Sequence, residues 1–117
     1  IGMALHVEAK TACPVSTLAA CWADVYITGC NPMSTQDDVA DAIREGGIAC
    51  YAKCGCNTKE YYAAIDQVID AHPTLTIDDG MDLINRIHLD RLDALPGIVG
   101  ACEETTTGIG IHRLRAI

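Results

Sequence analysis

Residues 74–88 read TLTIDDGMDLINRIH, and this stretch indicates how the whole chain folds. The run TLTID is short, apolar and rich in β-branched residues, which is typical of a strand. A polar turn, DDG, follows it. Leu83, Ile84 and Ile87 then recur at helical spacing, so the stretch predicts a strand, a turn and a helix in that order.

The same order recurs on both sides of this stretch. Strands are predicted over residues 1–6, 24–29, 48–52, 74–78 and 98–102. Helices are predicted over residues 8–22, 36–46 and 58–71, after the DDG turn, and from about Thr105. Because β and α segments alternate, we predict an α/β fold: a Rossmann-like, open, mostly parallel five-stranded sheet with helices on both faces.

Composition narrows the classes of protein to which the chain can belong. Its 117 residues fit one domain, and a formal net charge of -8 argues against a nucleic-acid partner. No apolar run is long enough to predict a membrane span. The seven cysteines are an odd number without a disulfide pattern, so we expect reduced thiols and a cytoplasmic protein. The opening IGMALH reads like the middle of a strand, so we expect the chain to be part of a longer protein.

Polar residues collect after the predicted strands. In open parallel sheets, ligands bind outside the carboxyl ends of the strands, where these residues would gather. The five clusters are His6 with Glu8, then CNPMSTQDD, KCGCN, DDGMD and EETTTG in chain order. A binding site at this edge of the sheet is therefore predicted.

Several clusters also have plain structural interpretations. STQD, residues 34–37, is a capping box at a helix start, which leaves Asn31, Ser34 and Gln36 able to turn other polar atoms toward a ligand. DDGMD is either an ordinary strand-to-helix turn or a group of acids that raise one another's pKa. His6 is either an edge histidine or an acid–base catalyst.

The cluster EETTTG poses a separate question. Its threonine hydroxyls are suited to capping a helix N-terminus, where the helix dipole also favours an anion. Neither property explains why the two acids are adjacent.

The phrases NPMSTQDDVADAI, IDDGMDLINRIH and EETTTGI with a following HRL closely resemble the substrate-binding domain of S-adenosylhomocysteine hydrolase (adenosylhomocysteinase). ALHVEAKTA is similar to that family's first substrate strand and helix. The resemblance implies a cytosolic homotetramer that holds NAD and reversibly cleaves S-adenosylhomocysteine to adenosine and homocysteine. It also implies the route: oxidation of the ribose 3'-hydroxyl, elimination of homocysteine, addition of water and reduction.

The resemblance also implies roles for individual residues. His6 and Asp79 would share proton transfer beside C4' and C5', and Glu104 would hold the ribose hydroxyls. Further substrate-binding positions would be Cys30, Asn31, Ser34, Gln36 and Glu8. The cofactor-binding positions would be Thr105, Thr106 and Thr107. No metal is implied.

The chain departs from the family pattern at several places. Glu8 stands where many members have threonine, and with Lys10 it resembles an archaeal-type branch in which hypoxanthine could replace adenine. The usual WKGET reads KCGCNT, and TTTGIGIHRL carries two residues more than TTTGVHRL. No GxGxxG follows a predicted strand, so residues 1–117 correspond to part of the substrate-binding domain, with the NAD-binding domain and C-terminal tail outside the chain. We expect the isolated chain to be nearly inactive.

Two other interpretations stay open at this point. One is a non-catalytic nucleoside-binding module or regulatory relative that has lost catalysis. The other is a metal or redox domain that uses Cys50, Cys54 and Cys56, although their spacing contains no CxxC pair.

Overall fold

The computed structural model describes residues 1–105 and 108–117. Five strands run in chain order as β1 Gly2–Leu5, β2 Tyr26–Gly29, β3 Ala49–Cys50, β4 Leu75–Asp78 and β5 Gly100–Glu103. Five helices alternate with them as α1 Ala9–Ala20, α2 Asp37–Glu45, α3 Thr58–Asp70, α4 Asp82–Asp90 and α5 Ile109–Ala116. A short 3-10 helix, Leu95–Gly97, precedes β5.

The strands form one parallel sheet in the order β3-β2-β1-β4-β5. The predicted α/β class and five-stranded parallel sheet are therefore confirmed. The chain first builds outward from β1 through β2 to β3, then crosses back to β4 on the other side of β1. The strand order thus reverses between β1 and β4, and in open α/β sheets ligands bind at such a point.

Helices cover both faces of the sheet because the inner strands β1 and β2 are buried on both sides. One buried cluster, which includes Met3, Val15 and Ile43, joins one face of the sheet to α1 and α2. The other, which includes Ile65 and Ile87, lies under α3 and α4. Continuous burial on both faces is what a parallel sheet requires.

One predicted helix cap and one predicted helix start are wrong. Helix α2 has Gln36 at its N-cap with no side-chain cap bond, so the capping box expected at residues 34–37 is not formed. The Ser34 hydroxyl bonds instead to His6 Nδ1 and to the Asn31 carbonyl. The last helix begins at Ile109 and not near Thr105, because Gly108 takes a left-handed conformation at φ 69° and sets the start of the helix.

Among the described residues, no helix combines the length and the apolar character that crossing a membrane requires.

Candidate active site

A cleft of about 400 Å³ opens at the carboxyl ends of the central strands, where the strand order reverses. Its lining residues come from the end of β1, the start of α1, and the ends of β4 and β5. They are Leu5, His6, Glu8, Lys10, Thr11, Pro14, Asp79 and Glu104. Three separate strands therefore contribute polar side chains to one cavity, as the sequence predicted.

His6 is held from both sides of its ring. Its Nε2 lies 3.3 Å from Asp79 Oδ2, and its Nδ1 lies 2.5 Å from Ser34 Oγ. The Thr11 hydroxyl donates a 2.5 Å hydrogen bond to the His6 carbonyl and fixes the backbone there. An imidazole between a carboxylate and a hydroxyl can take up or release a proton without moving, which suits acid–base catalysis.

The two acids of the DDG turn face in different directions. Asp78 is fully buried on β4, where its Oδ2 accepts a 3.0 Å hydrogen bond from the Ile84 amide. Burial, together with the nearby charges of Glu103 and Asp82, raises the pKa of Asp78 to about 7. Asp79 faces the cleft and His6. The raised pKa therefore belongs to a carboxyl group that lies behind the cleft and does not line it.

The two acids of EETTTG follow the same arrangement. Glu103 is the register partner of Asp78, and its Oε1 accepts a 2.7 Å hydrogen bond from the Gly80 amide. Glu104 lines the cleft, and its amide donates a 2.9 Å hydrogen bond to the Asp78 carbonyl. Neighbouring residues in extended backbone point to opposite sides. The adjacency therefore has a physical reason: Glu103 binds the turn after β4, and Glu104 faces the cleft.

The threonines after Glu104 are described only in part. Thr105 is exposed beyond the end of β5. Thr106 and Thr107 lie outside the described residues. Gly108 is the N-cap of α5, so the prediction that Thr105 begins and caps the last helix is wrong.

The loop after β2 reaches the site mainly through Cys30 and Ser34. The Cys30 thiol lies close to His6 and Asp79, and burial together with the charges of Asp79 and Asp78 raises its pKa to about 12. Asn31 is exposed and its Oδ1 accepts from the Met33 amide. Gln36 is also exposed, and its amide donates to the Val7 carbonyl. Neither Asn31 nor Gln36 is among the residues that line the cleft.

Within residues 1–105 and 108–117, the one group of three or more side chains able to share a metal ion is His6, Cys30 and Asp79. One donor atom from each lies within 4.8 Å of the others. Cys50, Cys54 and Cys56 do not form such a group. The alternative of a metal site at these three cysteines is therefore wrong.

A second cavity, of about 330 Å³, lies between α3 and the loops after β2 and β3. Tyr51, Tyr61 and Gln67 are among its lining residues, whereas His6, Asp79 and Glu104 are not. We place the candidate site in the cleft, because acid–base side chains from three strand ends meet there.

Tyr61 and Arg113, which form hydrogen bonds behind the cleft, were not predicted from the sequence as site residues. The Tyr61 hydroxyl lies 3.0 Å from the Cys30 carbonyl and 2.9 Å from Asp82 Oδ2. Arg113 on α5 donates a 2.8 Å hydrogen bond to Asp82 Oδ1 and a second bond to the Gly80 carbonyl. Helical spacing marked Tyr61 only as a core residue, and no local signal pairs it with groups 21 and 31 positions away.

Known proteins resemble this chain along its whole length. A family model for S-adenosyl-L-homocysteine hydrolase matches residues 1–95. The S-inosyl-L-homocysteine hydrolase of Methanosarcina acetivorans is 61% identical over 118 residues, which cover 100% of this chain and 28% of that protein. The adenosylhomocysteinase of Archaeoglobus fulgidus is 60% identical over 117 residues, with the same two coverages. The chain thus spans little more than a quarter of the length of these relatives.

Proposed function

The chain belongs to the S-adenosyl-L-homocysteine hydrolase family, and from that premise we propose that it is part of the substrate-binding domain of an enzyme that reversibly hydrolyses a nucleoside thioether of homocysteine. The observation that carries the proposal is the meeting of His6, Asp79 and Glu104 around one cleft at the point where the strand order reverses. Chemistry at a ribose needs groups that move protons and groups that hold hydroxyls, and this cleft offers both.

His6 and Asp79 would carry the proton transfers. Their 3.3 Å contact lets one proton be shared between the imidazole and the carboxylate. Asp79 is nine-tenths buried, whereas His6 is 40% exposed and accessible from the cleft. The pair can therefore remove a proton from a sugar carbon beside an activated position and return one to the leaving sulfur.

Glu104 would bind the ribose hydroxyls. A carboxylate accepts hydrogen bonds from two adjacent hydroxyl groups, and Glu104 lies in the same cleft as the His6–Asp79 pair. This would place the reacting carbons of the sugar beside His6.

The proposed enzyme uses NAD, which supplies a hydride acceptor for the ribose 3'-hydroxyl when it is bound. Thr105 is exposed and follows Glu104 directly, and its hydroxyl has the chemistry to hydrogen-bond such a cofactor. We propose the same role for Thr106 and Thr107. We also propose that the complete enzyme is cytoplasmic and a homotetramer, and that this chain alone is nearly inactive.

Lys10 and Glu8 would contact the purine. They form an ion pair of 3.2 Å at the edge of the cleft, with Lys10 85% exposed and able to turn toward a ligand. An ammonium donates to O6 of hypoxanthine but finds only a donor at the 6-amino group of adenine. We therefore expect a preference for the inosyl thioether, in keeping with the name of the Methanosarcina acetivorans relative.

Steady-state hydrolysis by the full-length protein tests the proposal. S-inosyl- and S-adenosyl-L-homocysteine are supplied separately with NAD, and released homocysteine is measured with a thiol reagent. We expect turnover of at least one thioether and a fall in kcat of about 100-fold or more in the Glu104→Gln variant. The exposed Glu45→Gln variant on α2 is the matched control. Tight binding of a nucleoside without turnover of either thioether would contradict the proposal and indicate a non-catalytic module.

A further inference from the structure

Glu103 has no place in the proposed chemistry, yet its carboxylate contacts the turn after Asp79 and the first turn of α5. Its Oε1 accepts a 2.7 Å hydrogen bond from the amide of Gly80, the residue directly after Asp79. Gly80 has φ +87°, a conformation that side-chain-bearing residues rarely adopt. The bond from Glu103 therefore fixes a turn that is unusual in backbone and adjacent to a proposed catalytic residue.

The Glu103 carboxylate also lies against the first turn of α5. A Cβ built on Gly110 would overlap Glu103 Oε1 and lie 2.5 Å from Cδ and 3.0 Å from Cγ. Gly110 is the only buried residue of this helix. Burial raises the pKa of Glu103, whereas the Gly80 amide and the nearby Arg113 charge favour its ionised form.

Arg113 completes the connection between α5 and the DDG turn. It donates to the Gly80 carbonyl and to Asp82 Oδ1 from the same helix. Both polar groups of the Gly80 backbone are thus bonded: the amide to Glu103 and the carbonyl to Arg113. Hydrogen bonds and close contacts therefore connect the end of β5, the turn after β4 and the start of α5.

We propose that Glu103 is a positioning residue, whose carboxylate clamps the DDG turn against α5 and so holds Asp79 and Glu104 at their places around the cleft. The proposal rests on the proposed function, because it assigns Glu103 an effect on that reaction. It also explains why the chain has Gly110 in the unusual segment GIGIH: only a glycine leaves room for the carboxylate.

A double-mutant cycle in the full-length, NAD-loaded protein tests this role. The variants are Glu103→Ala, Gly110→Ala and the double variant, with Glu103→Gln as the conservative replacement that keeps an acceptor for the Gly80 amide. Val68→Ala, a buried α3 residue that packs near the opposite ends of the strands, serves as the control for destabilisation alone. kcat, KM and melting temperature are measured for each, with kinetics well below the lowest melting temperature.

We expect Glu103→Ala to lower kcat by about 10- to 100-fold with a smaller change in KM, since small displacements of catalytic groups have effects of this size. Glu103→Gln should recover most of the loss. Gly110→Ala should lower kcat in the parent but have little further effect once Glu103 is alanine, because the overlapping carboxylate is gone.

Two results would overturn the proposal. One is a Glu103→Ala variant that melts earlier but keeps the parent kcat, as we expect of Val68→Ala. The other is a Gly110→Ala effect that is equally large with and without the Glu103 carboxylate. A parent protein that hydrolyses neither thioether would refute the proposed function instead, while the melting temperatures would still report whether Glu103 and Gly110 are coupled.

Discussion

Replacing Asp78 by asparagine should change how the stability of the domain depends on pH. Asp78 is fully buried, and its Oδ1 has no hydrogen-bond partner among the described residues. Its pKa rises to about 7 because burial disfavours the charged carboxylate and because Glu103 and Asp82 are near. Asparagine keeps an acceptor for the Ile84 amide but cannot ionise.

The sign follows from proton binding in the two states. Between pH 4 and 7 the unfolded chain has lost the Asp78 proton while the folded chain still holds it, so the free energy of unfolding falls as the pH rises. The pKa difference between 3.8 and about 7 corresponds to about 4 kcal/mol, at about 1.36 kcal/mol for each pKa unit. This stabilisation is fully present below pH 4 and is lost by about pH 7.

Urea unfolding of the 117-residue chain from pH 4.5 to 8 measures this effect. We expect the Asp78→Asn variant to gain stability relative to the parent as the pH rises, by about 3 kcal/mol between pH 4.5 and 8, since part of the full effect lies below pH 4.5. Asp38→Asn, an exposed replacement of the same kind in the first turn of α2, is the matched control. A constant difference between parent and Asp78→Asn from pH 4.5 to 8 would refute the reasoning.

Two further predictions concern the support behind the cleft. Burial and nearby acids raise the Cys30 pKa to about 12, so the reactive thiolate of Cys30 is rare at pH 8. Iodoacetamide at pH 8 should therefore modify the exposed Cys13 and Cys54 long before Cys30, which peptide mapping by mass spectrometry measures. Early labelling of Cys30 would contradict this prediction. Tyr61→Phe should lower the free energy of unfolding by about 1–2 kcal/mol, because the Cys30 carbonyl and Asp82 lose the one hydroxyl that lies within hydrogen-bond distance of both. Urea unfolding of the variant that matches the parent would count against these hydrogen bonds.

The sequence predicted the sheet well because parallel strands are short, apolar on both sides and separated by helices. It also predicted that His6, Asp79 and Glu104 would meet, since each follows a strand and parallel strands present their carboxyl ends at one edge. The sequence alone left the strand order open, because alternation of strands and helices is compatible with several orders.

The cap of α2 and the start of α5 were harder to predict, because contacts with residues distant in the sequence decide them. Ser34 fits a capping box locally, but His6, which lies 28 positions away, takes its hydroxyl. The segment after Thr107 depends on a tertiary contact between Gly110 and Glu103. Local patterns contain neither contact, so the predicted last helix began too early.

Hydrogen exchange at C4' of the bound substrate tests the central claim most directly. With the full-length protein in deuterated buffer, we predict that Asp79→Asn slows this exchange by about 100-fold or more while changing the substrate Kd far less, because in the proposed mechanism the carboxylate takes part in moving the proton. Equal losses in exchange and in binding would contradict the role of the His6–Asp79 pair.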